Sequence, residues 1–179
     1  AFVVRSSEEW THWPHDPRML LRTMRYRLDW SSLHAAYLAS RHQVRSFFID
    51  TWRKARAKEV LTPMETIAAD IIALHPEYHA VVEDPEAVHR DFPPEAGQIN
   101  PFLHLSLHLA IEEQLSIDQP PGIRAAFEAA CQHRGDRHDA MHDALECLGE
   151  MLFDAQRKGT PPDGAAYVGA LRKRAGLAL

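Results

Sequence analysis

The sequence has little cysteine, no long apolar run and no block of one charge, and each shortage removes a class of protein. Its two cysteines, Cys131 and Cys147, are too few for a disulfide framework. Neither belongs to a Cys-x-x-Cys pair of the kind used for thiol exchange or zinc. A reducing cytoplasm is the compartment this implies. No stretch approaches the roughly 18 uninterrupted apolar residues that span a bilayer, and the N-terminus lacks a basic-then-apolar signal pattern. Neither a membrane span nor an export signal is expected, although Ala1 is not an initiator methionine and leaves room for a removed segment. The formal net charge is −5 with both signs interspersed, so nucleic acid is not an expected partner. Glycine-rich phosphate loops and nucleophile elbows are also missing, which argues against nucleotide-dependent and serine-hydrolase chemistry.

What the sequence does have is histidine, 12 residues of it. Their meaning depends on the secondary structure that carries them. Residues 1–39 hold Trp10, Trp13 and Trp30 with no sustained hydrophobic period, and read as an N-terminal extension with at most a short helix over Pro17 to Leu28. From residue 40 to 179 the signals are regular enough for a single all-helical domain. Ser40 can cap a helix on which Val44, Phe47, Phe48 and Trp52 recur at helical spacing. Thr62, Pro63 and Glu65 form a capping-box pattern ahead of "TIAADIIAL". Pro76 ends or kinks that helix, and "PEYHAVVED" restarts as a short one carrying His79. Residues 83–99, with Pro85, Pro93, Pro94 and Gly97, read as a loop. Asn100 and Pro101 then open a helix, "IRAAFEAACQHRG" forms another, Asp136 caps a long one, and a last helix follows "TPPDG". No β-branched run with hairpin turns follows residue 40. The expected fold class is all-α, a helical bundle with two central ligand-bearing helices.

Those two helices carry the chemistry. In "FLHLSLHLAIEE", His104, His108 and Glu112 fall four residues apart, and His138, His142 and Glu146 repeat the spacing later in the chain. The first segment could alternate as a strand, but the second cannot, so the shared pattern belongs to helices. At roughly 100° per residue, Asp139, Asp143, Glu150, Asp154 and Arg157 take the wet side of the long helix. His138 and His142 face inward with Leu145, Gly149 and Phe153. On the earlier helix the clearest polar gap is at Ser106 and Glu113, and His104, His108 and Glu112 lie nearly opposite it. A helix apolar almost all round is a buried one.

Buried imidazoles and carboxylates are costly unless partnered, and a metal ion partners both at once. Helices that each contribute ligands at helical spacing are how bundle metal sites are built. The candidate ligands are His79, His104, His108, Glu112, His138, His142 and Glu146, with Glu65 a further donor if the Pro76 kink is mild. Five imidazoles and two carboxylates suit a dinuclear centre with positions left open. Glu65 also has its capping-box role, and His75, ahead of Pro76, reads as the cap of the restarted helix. Glu113 and Glu150 read as solvent-face carboxylates. Cys147 points away from the histidine stripe, against thiolate ligation or nucleophilic catalysis.

The segments "RSFFIDTWRK", "LTPMETIAADIIALHPEYH", "NPFLHLSLHLAIEEQLSIDQPPGIR", "HDALECLGEML" and "GTPPDGAAY" together resemble the bacterial DUF1841 family, a domain of unknown function. The resemblance covers about residues 40–174 and implies no catalytic residues. By ligand count alone the set is also similar to hemerythrin-like di-iron bundles, although the order of ligands differs and fold analogy does not decide a reaction. The expected function is a His/Glu-rich, dinuclear iron site that binds or activates dioxygen or peroxide, a small-molecule partner. Two alternatives stay open. One is a zinc- or manganese-dependent hydrolase with Glu112 or Glu146 as general base, and the other is a non-catalytic helical interaction module without metal.

Overall fold

The structure is a computed structural model that describes residues 41–90, 92 and 100–177. The expected helix over Pro17 to Leu28 and the Ser40 cap lie outside these residues. All regular structure among the described residues is helical. The helices are α1 (Arg41–Arg56), α2 (Pro63–Ala73), α3 (His79–Val82), α4 (Pro101–Ile117), α5 (Ile123–Arg134), α6 (Arg137–Lys158) and α7 (Gly164–Arg174), with 3-10 turns at Pro76–Tyr78 and Pro85–Val88. Among the described residues no helix is long and apolar enough to cross a membrane.

Local sequence accounts for most of these boundaries. Thr62 caps α2 through a complete capping box: its hydroxyl accepts from the Glu65 backbone N–H, and the Glu65 carboxylate accepts from the Thr62 N–H at 2.7 Å. Asn100 accepts from the N–H groups of Phe102 and Leu103 and so starts α4. Asp136 and Asp163 do the same for α6 and α7 through Asp139 and Ala166. Gly135 and Gly159 close α5 and α6 in the left-handed conformation that glycine adopts without strain.

The chain forms two compact units, and the division falls between Ser106 and Leu107, inside the single helix α4. In the earlier unit α1 packs on α2 and on the Pro85–Val88 turn, around Phe48, Ile71, Ile72, Val82, Phe102 and Leu105. Arg45 is buried there. Its guanidinium donates to the carbonyls of Val88 and Arg90 and lies over the Phe92 and Phe102 rings. In the later unit α5, α6 and α7 pack on one another, around Ile111, Ile123, Phe127, Leu148, Leu152 and Leu171. The Tyr167 hydroxyl donates to the buried Gln114 side chain at 3.0 Å.

Three surface expectations need correction. Asp143, expected on the wet side of α6, is 4% exposed. The Arg134 guanidinium donates to both its oxygens at 2.6 and 2.5 Å, and that pairing is what makes the buried charge tolerable. Phe153, expected inside, is exposed. Eight residues carry it about 80° past Leu145, while the buried stripe runs through Leu145, Leu148, Leu152 and Ala155. Ser106, expected in a polar gap, is buried and donates to the Phe102 carbonyl. α4 is therefore covered on that side as well.

Candidate metal centre

Helix α4 brings His104 and His108 one turn apart, a spacing at which side chains are neighbours on one face. Each has histidine company. The Nε2 atoms of His104 and His75 lie 3.1 Å apart. His108 meets His142 and His138 of α6 at ring-centroid distances of 5.1 and 5.7 Å, and His138 and His142 are 4.4 Å apart. The earlier unit thus holds the His75–His104 pair, and the later unit holds His108, His138 and His142 as a group of three.

The orientation of His75 is fixed by an acceptor. Its Nδ1 is 2.8 Å from the Ile71 carbonyl oxygen, which can only accept, so Nδ1 carries the proton and donates. In the neutral ring Nε2 then keeps its lone pair, and that atom faces His104. Donation from the far ring nitrogen to a backbone carbonyl is how metal-ligating histidines are usually held. The Pro76 break makes this possible: α2 stops at Ala73, and His75 folds back on the carbonyl of Ile71 in its last turn. Tyr78 stacks parallel on the His75 ring at 5.6 Å and meets His104 edge-on at 5.4 Å. Burial pushes its phenol up to about 12.

The sequence implies a capping role for His75, but the residue makes no side-chain cap hydrogen bond and is 1% exposed. The signal for it was its place at a helix-breaking proline, where the chain turns back and the ring can point into the core.

The other candidates are held elsewhere. His79 Nε2 donates to the Ile72 carbonyl at 2.9 Å, and its ring lies on Trp52 at 4.5 Å. Glu112 accepts both branches of the Arg137 guanidinium at 2.7 and 2.9 Å. Glu146 is paired with Arg174, which also reaches Glu150. Glu65 is buried in its capping box, and Lys54 donates to it at 2.6 Å. The Lys54 hydrogen bond, with those of Thr62, holds its carboxyl down at about 2. The structure thus pairs His75 with His104, groups His108 with His138 and His142, and engages Glu65, Glu112 and Glu146 in ion pairs. Cys147 is buried, and burial raises its thiol to about 11, far from a reactive thiolate.

Imidazole nitrogen donors can hold a borderline transition-metal ion. A hard ion that needs oxygen donors fits them poorly.

A family model described as a domain of unknown function (DUF1841) matches residues 40–173. No curated protein and no solved structure matches the chain.

Proposed function

The chain belongs to the DUF1841 family, and from that premise we propose that it binds one transition-metal ion through His75 and His104. The observation that carries this reading is the His75–His104 pair, in which the Ile71 carbonyl orients a ring lone pair toward a second Nε2 at 3.1 Å. Nitrogens bound tetrahedrally at about 2.0–2.1 Å from an ion stand about 3.3 Å apart. The pair already has nearly that spacing. Imidazole donors favour iron, copper, nickel or zinc over manganese.

One ion fits better than two. A dinuclear centre needs carboxylates to bridge the metals and offset their charge, and Glu112 and Glu146 are engaged by Arg137 and Arg174. The same pairings leave a hydrolytic reading without its general base. Tyr78, packed against His75 and His104, instead gives the site an oxidisable neighbour. Iron as the ion, with dioxygen or peroxide as the small-molecule partner, is the reading this favours. The bound ion would supply the redox chemistry. The chain's own residues fix the rings, keep water away through the burial of His75, which is 1% exposed, and keep the Tyr78 phenol protonated.

Elemental analysis of protein purified without an affinity tag or chelator tests the binding. About one equivalent of metal is expected in the parent and in His79→Ala, with loss in His75→Ala and His104→Ala. Metal in none of them, or equally in all of them, refutes the site. Zinc in place of iron refutes the redox reading alone.

A further inference from the structure

We propose that the later unit has a metal site of its own, in which His108, His138 and His142 hold a second transition-metal ion and leave one position open to water or a small anion. All three residues belong to that one compact unit, and the inference goes beyond the His75–His104 reading without depending on it.

The sequence sets the rings side by side. His138 and His142 are one turn apart on α6, a spacing at which side chains share a face. His108 comes to them from α4, and residues next to the rings hold the two helices in register. Glu112, one turn from His108, accepts both branches of the guanidinium of Arg137, the chain neighbour of His138. His108 is 2% exposed and the other two are half-buried.

The resulting triangle has the size that one ion requires. Nitrogens at about 2.0–2.1 Å put an ion about 3.2 Å from each ring centre, so three imidazoles on neighbouring corners of a tetrahedron or octahedron have centroids about 4.5–5.2 Å apart. The separations are 4.4 Å for His138–His142, 5.1 Å for His108–His142 and 5.7 Å for His108–His138. In the same order the rings are inclined at 47°, 71° and 41°, as ligands on different corners are, and none is stacked face to face. A ring nitrogen of His108 lies within 4.8 Å of one of His142.

The donor set selects the ion. Glu112 and Glu146, each one turn beyond a histidine of the group, are engaged by Arg137 and Arg174, so the donors are three neutral nitrogens. Such a set favours zinc, cobalt, nickel or copper over hard ions that need oxygen. Three imidazoles leave a four-coordinate ion with one position open, and an ion that keeps its full charge acidifies water there and attracts small anions. Half-burial of His138 and His142 lets water reach the ion. It therefore exchanges with bulk during purification, and the site loads from added metal.

Cobalt(II), which imidazole sites accept and whose absorption reports its ligands, is the probe. It is titrated into the full-length parent as purified, His75→Ala, His138→Ala and His142→Ala. Alanine is a good helix former at both α6 positions, and far-UV circular dichroism verifies the fold of each variant. The parent and His75→Ala are expected to take up one equivalent with equal affinity, while His138→Ala and His142→Ala bind at least about tenfold more weakly. Azide, a small anion, is expected to shift the cobalt spectrum of the parent. No uptake by the parent overturns the site, as does equal uptake by all four proteins, which places the ion elsewhere. Loss in His75→Ala as in His138→Ala also overturns it, since the later unit then has no site of its own. A spectrum unchanged by azide overturns the open position. Absence of copurifying metal refutes the His75–His104 site alone, because His75→Ala still reports the three-histidine site by itself.

Discussion

Replacing Glu112 with alanine should leave the metal in place and cost the fold a modest, measurable amount. Glu112 sits one turn along α4 from His108 and has the residue type of a ligand, but both its oxygens accept from Arg137 at 2.7 and 2.9 Å. The glutamate side chain is 22% exposed and the arginine 56%, so water screens the pair without replacing it. Exposed pairs contribute about 0.2–1 kcal/mol, and the two-pronged geometry places this one near the upper end, about 1 kcal/mol. Arg137 also lies over the Phe127 ring at 5.2 Å, so the single Arg137→Ala change removes two interactions. A double-mutant cycle of Glu112→Ala and Arg137→Ala isolates the pair. Urea unfolding of the metal-free proteins gives the coupling, and for a chain of this size 1 kcal/mol corresponds to about 2–4 °C in Tm. Metal content of Glu112→Ala is then measured against the parent. Loss of metal in that variant would refute the assignment of Glu112 to the ion pair, and a coupling near zero would refute the energetic reasoning.

Asp143→Ala should destabilise the protein by about 2–3 kcal/mol in urea unfolding, because it removes two charge-assisted hydrogen bonds while the half-exposed Arg134 can rehydrate. A loss below about 0.5 kcal/mol, typical of a surface change, would contradict its burial. Tyr167→Phe strips the donor from the buried Gln114 side chain and should cost about 1–2 kcal/mol, read in the same assay. Glu65 has its carboxyl lowered from 4.5 to about 2, so its contribution is present above the unfolded value and lost as pH falls from about 4.5 toward about 2. Glu65→Gln should flatten the stability profile over that window, and an unchanged profile would contradict the Lys54 and Thr62 contacts.

The helices were legible because their ends are written in local chemistry. Thr62 with Glu65, Asn100 with Pro101, and Asp136 each cap the helix that their residue types imply. The inward stripe of α6 was legible too, since helical spacing alone separates His138 and His142 from Asp139 and Glu150. Ion pairing was not. Glu112 and Arg137 are on different helices, as are Glu146 and Arg174, and Asp143 is buried where Arg134 of α5 and Arg174 of α7 meet it. A helical projection shows which way a side chain points on its own helix and is blind to the cation waiting opposite. The difference between His75 and His79 has the same origin. Spacing put His79 on a face with Glu65, but what each ring does was decided by backbone carbonyls that the end of α2 exposes, Ile71 for His75 and Ile72 for His79.

X-ray absorption at the edge of the metal that copurifies with the protein tests the proposed histidine centre most directly. The account predicts a first shell that includes nitrogen at about 2.0–2.1 Å with the outer-shell scattering of imidazole rings, and no second metal nearby. A mixed shell of oxygen and nitrogen with a metal–metal vector of about 3.5–4 Å would contradict it and restore a dinuclear centre with carboxylate ligands.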